Sequence, residues 1–245
     1  HNEDDFTNVD MVVQNPGVVR ESSLVVLAKE QGVHVESDIS LFFRYCKFPI
    51  VTVTGTRGKS TTTALLGEMF KHKHPKAVVA GNITSSPLED LDWVLEETEP
   101  VPIVLELSSW LLETLKGLGL GPSAALLTNA YKDHLDRYDS FEHYLHAKEM
   151  IFMEQDEDQY AVLNADQDIM DDIAKKIPSK KVFWFSSKKL AEGKEGVYRD
   201  GDNFVRVRDG ETVAFAHAHD LKLEGDHNIM NALSASLVAH LSGVS

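Results

Sequence analysis

The run PIVTVT at residues 49–54 is apolar and rich in β-branched side chains, and within five residues the chain takes up a helical period. Such a run reads as a strand buried on both faces. The segment STTTALLGEMFKH (60–72) then places Ala64, Leu65, Leu66, Met69 and Phe70 at helical spacing. The reversal falls to GTRG (55–58), where Gly55 and Gly58 supply backbone freedom that other residues lack. A strand that turns directly into a helix commits a chain to a parallel sheet covered by crossovers.

The rhythm repeats. KAVVAG (76–81), VPIVLEL (101–107), SAALLTN (123–129), YAVLNAD (160–166) and KVFWFS (181–186) read as buried strands. Between them lie the helical segments SPLEDLDWVLEE (86–97), SSWLLETLKGL (108–118), SFEHYLHAKEMIFMEQ (140–155, with Ser140 as N-cap) and DQDIMDDIAKKI (166–177). After residue 195 the pattern changes to strict alternation, with Asp-Gly pairs at 200–201 and 209–210 that read as hairpin turns. A last helix covers DHNIMNALSASLVAHL (226–241), with Asp226 near its start. The expected fold is α/β: a P-loop-type doubly wound, mostly parallel sheet with a small antiparallel meander near the C-terminus. Residues 1–47 hold only MVVQ, an Asn15-Pro16-Gly17 turn and a helix around 23–31. That piece is too short for an α/β domain and reads as the tail of a preceding one, with residues 48–245 as the main domain. The chain begins at His1 rather than Met, so segments beyond this sequence are expected.

Composition narrows the function. A net charge of −15 without a basic cluster argues against nucleic acid and anionic membrane surfaces as partners. Cys46 is the single cysteine, which removes any internal disulfide framework and suits a reducing, cytoplasmic setting. No apolar run reaches the ~18 residues of a membrane span.

The loop itself points to an anion. Gly58-Lys59-Ser60 matches the end of the Walker pattern, although Val53 stands where its first glycine would be. Backbone amides at a helix start favour phosphate. Lys59 would add positive charge near the β- and γ-phosphates, and the Ser60 hydroxyl would ligate Mg²⁺. Glu106, at the carboxyl end of a predicted strand, lies where ligands bind in open α/β sheets and can hold Mg²⁺.

GTRGKSTT (55–62), LELSSWLLE (105–113), TNAYKDHLDRY (128–138), AK (147–148), NAD (164–166) and GDHNIMNA (225–232) together resemble the Mur ligases of peptidoglycan synthesis. ELSS and the earlier QNPGV (14–18) are most similar to the D-glutamate-adding branch. The resemblance implies three domains: an N-terminal UDP-substrate domain, here only its tail at 1–47; a central ATP-binding domain, here 48–245; and a C-terminal domain absent from this sequence. It implies ATP and Mg²⁺ as cofactors, UDP-N-acetylmuramoyl-L-alanine and D-glutamate as substrates, amide ligation through an acyl phosphate, and a cytoplasmic monomer. On these matches Gly55, Thr56, Arg57, Gly58, Lys59, Ser60, Thr61 and Thr62 bind ATP phosphates, while Asn228 and Asn231 lie against adenine and ribose. Ser60, Glu106, His134 and Lys148 hold metal, Lys148 after carbamylation. Lys59, His134 and Lys148 are the catalytic set; Asn82 and Ser108 touch substrate. Departures fall at Thr84, Leu111 and Arg57, where the family usually has Gly, Gln and Asn.

Other readings remain. A folate polyglutamylating ligase shares the loop but is not expected to carry ELSS-W beside DHLDR. A GTPase-type switch calls for N-K-x-D and D-x-x-G motifs that TNAYKD and LELSS do not supply. A third is an interaction domain with an empty loop. The pairs His72/His74 and His217/His219 suggest metal, but residues two apart on a helix diverge, so both pairs read as solvated. Trp93, Trp110 and Trp184 read as core or core-edge residues.

Overall fold

The structure is a computed structural model and describes residues 9–15, 17–18, 22–82, 85–133 and 137–244. The parallel units run β3 (Ile50–Thr54), α3 (Lys59–Lys73), β4 (Val78–Gly81), α4 (Leu88–Glu96), β5 (Ile103–Glu106), α5 (Ser109–Leu115), β6 (Ala124–Leu127), α6 (Phe141–Met153), β7 (Tyr160–Asn164), α7 (Ile169–Ala174) and β8 (Lys181–Ser186). The meander β9 (Gly196–Asp200), β10 (Asn203–Arg208) and β11 (Glu211–His217) follows, then α8 (Asp226–Leu241). One nine-stranded sheet joins them in the order β11-β10-β9-β8-β7-β6-β3-β5-β4. Its pairs are parallel from β4 to β9, and β10 is antiparallel to both neighbours. β3 sits between β5 and β6, so the chain changes direction across the sheet at the strand that carries the glycine loop. A crevice at the carboxyl ends of the strands is the expected place for a ligand there.

The two faces follow the strand period of two. Val51, Val53, Ala124, Leu126 and Val162 face a layer formed by α3 and α8, which contributes Leu66, Phe70, Leu233, Leu237 and Val238. Ile50, Ala125, Leu127, Ala161 and Leu163 face the opposite layer, with Leu111 and Leu112 of α5 and Ile151 and Phe152 of α6. All residues of β3, β5 and β6 are buried, which is why these strands lack an alternating pattern.

The first part of the chain forms a separate parallel pair, β1 (Met11–Val13) with β2 (His34–Glu36), linked by α1 (Ser23–Glu30). α2 (Asp38–Tyr45) follows and sends Ile39, Phe42 and Phe43 into the core of the large sheet. Ser37 and Ser40 close the start of α2 as a reciprocal capping box. Trp184 is buried, and Trp93 and Trp110 pack at the margins of clusters, as expected. Among the described residues no helix is long and apolar enough to cross a membrane.

Candidate functional site

The loop after β3 owes its shape to two glycines. Gly55 has φ 150°, and a Cβ there would lie 1.9 Å from Thr128 Oγ1. Gly58 has φ 81°, and its Cβ would lie 2.3 Å from Asn231 Oδ1 of α8. Any side chain at either position collides with a neighbour on another element. Gly58 is also the N-cap of α3 and makes no side-chain cap bond. The first helical amides, those of Lys59, Ser60 and Thr61, have no intrahelical acceptor by helix geometry. Positive dipole and donors therefore converge at the mouth of the loop.

A second set of contacts holds this loop from β6. The Asn129 side chain accepts from Arg57 N–H and donates to Arg57 C=O, both at 2.9 Å. Thr56 N–H donates to Asn129 C=O at 3.0 Å. Thr128 Oγ1 donates to Arg57 C=O at 2.8 Å. The Asn129 amide thus imitates a strand neighbour for Arg57. Sequence alone does not mark Thr128 and Asn129 as loop supports, although both open the TNAYKDHLDRY run; nothing local ties them to residues some 70 positions earlier.

Lys59 and Lys148 arrive from different helices and meet at one oxygen. Lys59 Nζ donates to Gly55 C=O at 3.0 Å and to Thr56 C=O at 3.1 Å. Lys148 Nζ donates to the same Gly55 carbonyl at 2.8 Å. Lys148 is 2% exposed on α6, and its ammonium lies 4.6 Å from the Tyr144 ring centroid. Burial, reinforced by the Lys59 charge and opposed by Asp133, brings its pKa down to about 7. Burial also lowers the Lys59 pKa, while Glu106 and Asp133 pull it back up.

Glu106 ends β5 and is buried. Its Oε1 accepts from Asn82 Nδ2 at 3.3 Å, while Oε2 is buried with no hydrogen-bond partner among the described residues. Thr62 Oγ1 is in the same condition. A buried carboxylate oxygen without a donor is costly unless a cation serves it. The donor set therefore fits a hard divalent cation together with phosphate: an orphaned carboxylate oxygen, helix-start amides and an exposed Ser60 hydroxyl.

The expected ATP, metal and catalytic residues Gly55, Thr56, Arg57, Gly58, Lys59, Ser60, Thr61, Thr62, Lys148 and Asn231 gather around this loop. Asn228 is beside Asn231, whose Nδ2 donates to Asn228 Oδ1 at 3.2 Å. Asn82 reaches the site through Glu106. Ser108 caps α5, accepting from Leu111 N–H at 3.3 Å. His134 and Thr84 lie outside the described residues. Tyr144, which the sequence reading did not single out, has its hydroxyl 3.3 Å from Thr56 Oγ1.

One set-aside pair needs correction. His217 ends β11 and His219 lies in a 3-10 turn (Ala218–Asp220), so the helical spacing rule does not apply. Their rings stack, with centroids 5.2 Å apart and planes 21° from parallel. Both are exposed, as expected of a solvated pair.

Residues 53–239 match the Mur ligase middle domain. The chain is 42% identical over 238 residues to the UDP-N-acetylmuramoylalanine--D-glutamate ligase of Thermoanaerobacter pseudethanolicus, covering 97% of this chain and 50% of that protein. It is 39% identical to the enzyme of the same name from Roseiflexus sp., covering 100% of this chain and 53% of the relative. The chain therefore spans about half the length of these relatives. Among solved structures, the UDP-N-acetylmuramate:L-alanyl-gamma-D-glutamyl-meso-diaminopimelate ligase (MPL) from Neisseria meningitides superposes with TM-score 0.63 at 19% identity, covering 99% of this chain and 77% of the other. The MurF ligase of Thermotoga maritima in complex with ADP gives TM-score 0.56 at 16% identity, covering 98% and 62%. At such identities the structures speak for the fold alone. Sheet order, glycine loop and the matched span together place this chain in the Mur ligase family, with residues 53–239 matching its middle domain.

Proposed function

We propose that this chain is the nucleotide-handling part of a ligase that joins D-glutamate to UDP-N-acetylmuramoyl-L-alanine at the expense of ATP. The observation that carries the reading is the uncapped start of α3 beside Lys59 and the orphaned Glu106 oxygen. The names of relatives near 40% identity support the substrate pair. On this reading residues 1–47 are the tail of a UDP-substrate domain, and a further domain beyond residue 245 completes the site. A cytoplasmic monomer remains part of the proposal.

ATP would supply the phosphoryl group that activates a substrate carboxylate, with Mg²⁺ neutralising phosphate charge. The chain's own residues then do the following. The amides of Lys59, Ser60 and Thr61 bind phosphate oxygens, and the Lys59 ammonium leaves its loop carbonyls for them. Glu106 and Ser60 hold the cation, and His134 is assigned to a second one. Lys148, held near neutrality by burial, is suited to take up CO₂ and become an anionic oxygen ligand. Asn228 and Asn231 orient the adenine and ribose, Asn82 lies toward the sugar substrate, and Ser108 meets the substrate near the phosphates. No side-chain nucleophile is required; stabilisation of developing charge is the dominant contribution.

The test is phosphate release by the complete enzyme that contains this chain. UDP-N-acetylmuramoyl-L-alanine is supplied with D-glutamate, L-glutamate or diaminopimelate. Release only with D-glutamate supports the proposal. Equal release with diaminopimelate, or none with any of the three, would reassign the substrate.

A further inference from the structure

We propose that Asp202, His217 and His219 form a binding site for one zinc-class divalent ion at the outer hairpin. The ion would be of the borderline kind that imidazole and carboxylate share. This site is separate from the nucleotide loop: β9 and β3 are four strand steps apart, about 19 Å at ~4.8 Å per step.

Three pieces of backbone bring the ligands together. Asp202 lies in the β9–β10 turn; His217 ends β11; His219 sits in the 3-10 turn that follows. The Asp202 carbonyl accepts from Ala218 N–H at 2.7 Å, and Asp202 Oδ1 accepts from His219 N–H at 3.1 Å. These bonds hold the turn against the strand end and leave Oδ2 turned toward both rings. His217 Nδ1 is 3.8 Å from Oδ2, and His219 Nδ1 is in direct hydrogen bond with it. All three candidate donor atoms lie within 4.8 Å of one another. A tetrahedral zinc site with ~2.0 Å bonds spaces its ligands ~3.3 Å apart. Small side-chain rotations about the present geometry reach that spacing.

The second carboxylate at the site supports a ligand role. His219 Nε2 is 3.5 Å from Asp220 Oδ1. A carboxylate behind one ring nitrogen fixes the tautomer that leaves the other nitrogen's lone pair for a metal. The charged groups facing the histidines are thus Asp202 from the β9–β10 turn and Asp220 from the 3-10 turn. Binding would form two metal–nitrogen bonds and one metal–oxygen bond, and any proton carried by either Nδ1 would leave to solvent. Two nitrogens and a single carboxylate oxygen suit Zn²⁺, Ni²⁺ or Cu²⁺ and disfavour Mg²⁺ and Ca²⁺, which want more oxygen. With side chains 49 to 66% exposed, the remaining coordination positions go to water.

The test is isothermal titration of Zn²⁺ into the chain, in a buffer that does not bind metal. The expected result is one ion per chain with a micromolar Kd, weakened at least tenfold in His217→Ala and again in His219→Ala. His72→Ala, at the other histidine pair, should bind as the parent does, and Mg²⁺ should not compete. His217→Ala is the cleaner variant, because the His217 side chain makes a long ion pair and a ring stack rather than the direct hydrogen bond that His219 makes to Asp202; circular dichroism checks its fold. Unchanged zinc binding in a folded His217→Ala chain overturns the proposal. So does a parent that binds no zinc while His219→Ala lowers Tm in EDTA, since the cluster is then only a cap that ties the turn to the strand.

Discussion

The two ends of the sheet are built on different terms. Around β3 each strand is enclosed on both faces, and β3, β5 and β6 carry no exposed residue. At the other edge β11 is exposed at all but one position, including Val213 and Phe215. The central strands devote their side chains to packing, so their chemistry is confined to residues at or just past their ends: Gly55, Glu106 and Thr128. The outer hairpin has solvent on one side and carries its polar groups along its surface, bound by local turns. A β-bulge between Phe204 and Val205 in the β10–β11 register fits that looser edge.

That contrast can be attacked by substitution. Leu105→Ala, in a fully buried strand, is expected to lower stability by about 3 to 5 kcal/mol, measured by urea unfolding. A loss below about 1 kcal/mol would show that the central strands are not as closely packed as described. Lys59→Ala tests the loop directly. Mg-ATP at 100 times its Kd should stabilise the parent by about 2.7 kcal/mol, and the variant should lose most of that gain in a thermal melt. An equal shift in both proteins would remove Lys59 from nucleotide binding. Asn129→Ala takes away two bonds to Arg57 and should cost about 1 to 2 kcal/mol, with weaker nucleotide binding; Asn129→Asp restores only the acceptor half. At the exposed edge, Val213→Thr should stay within about 0.5 kcal/mol.

The smallest effect concerns pH. Arg206 Nη1 donates to His240 Nε2 at 2.9 Å, which requires a neutral acceptor nitrogen. Burial, with Arg206 and Arg208 nearby, holds the His240 pKa below its usual 6.5. Between that lowered value and 6.5 the unfolded chain binds more protons than the folded one. Stability from this group is therefore present above 6.5 and is lost as the pH falls through the folded pKa. His240→Gln should flatten the stability profile below pH 6.5; a profile identical to the parent's would assign the acid sensitivity elsewhere.

Much of this was legible in the residues. Apolar runs and glycines gave the strand–turn–helix order, and the Asp-Gly pairs marked both hairpin turns. Gly58, Lys59, Glu106 and Lys148 were named from motifs and do converge. What escaped was non-local. Asn129 supports Arg57 through a side chain, which leaves no periodic trace. His217 and His219 were judged by a helix rule, whereas the chain there leaves a strand for a 3-10 turn and folds back to Asp202. The helix at 166–177 is also shorter than expected, Ile169–Ala174: the residues before it turn to support their neighbours, and those after it close a local turn on Ile173. Asp166 accepts from Ser186 Oγ, and Gln167 brackets the Ala130 backbone.

The tight fit of Asn231 against Gly58 makes α8 and the glycine loop one mechanical unit. A helix whose amide leaves no room for a methyl group cannot slide or rotate without dislodging the turn it touches. A pull on the last helix would therefore be felt at the start of α3 as directly as at the sheet it covers.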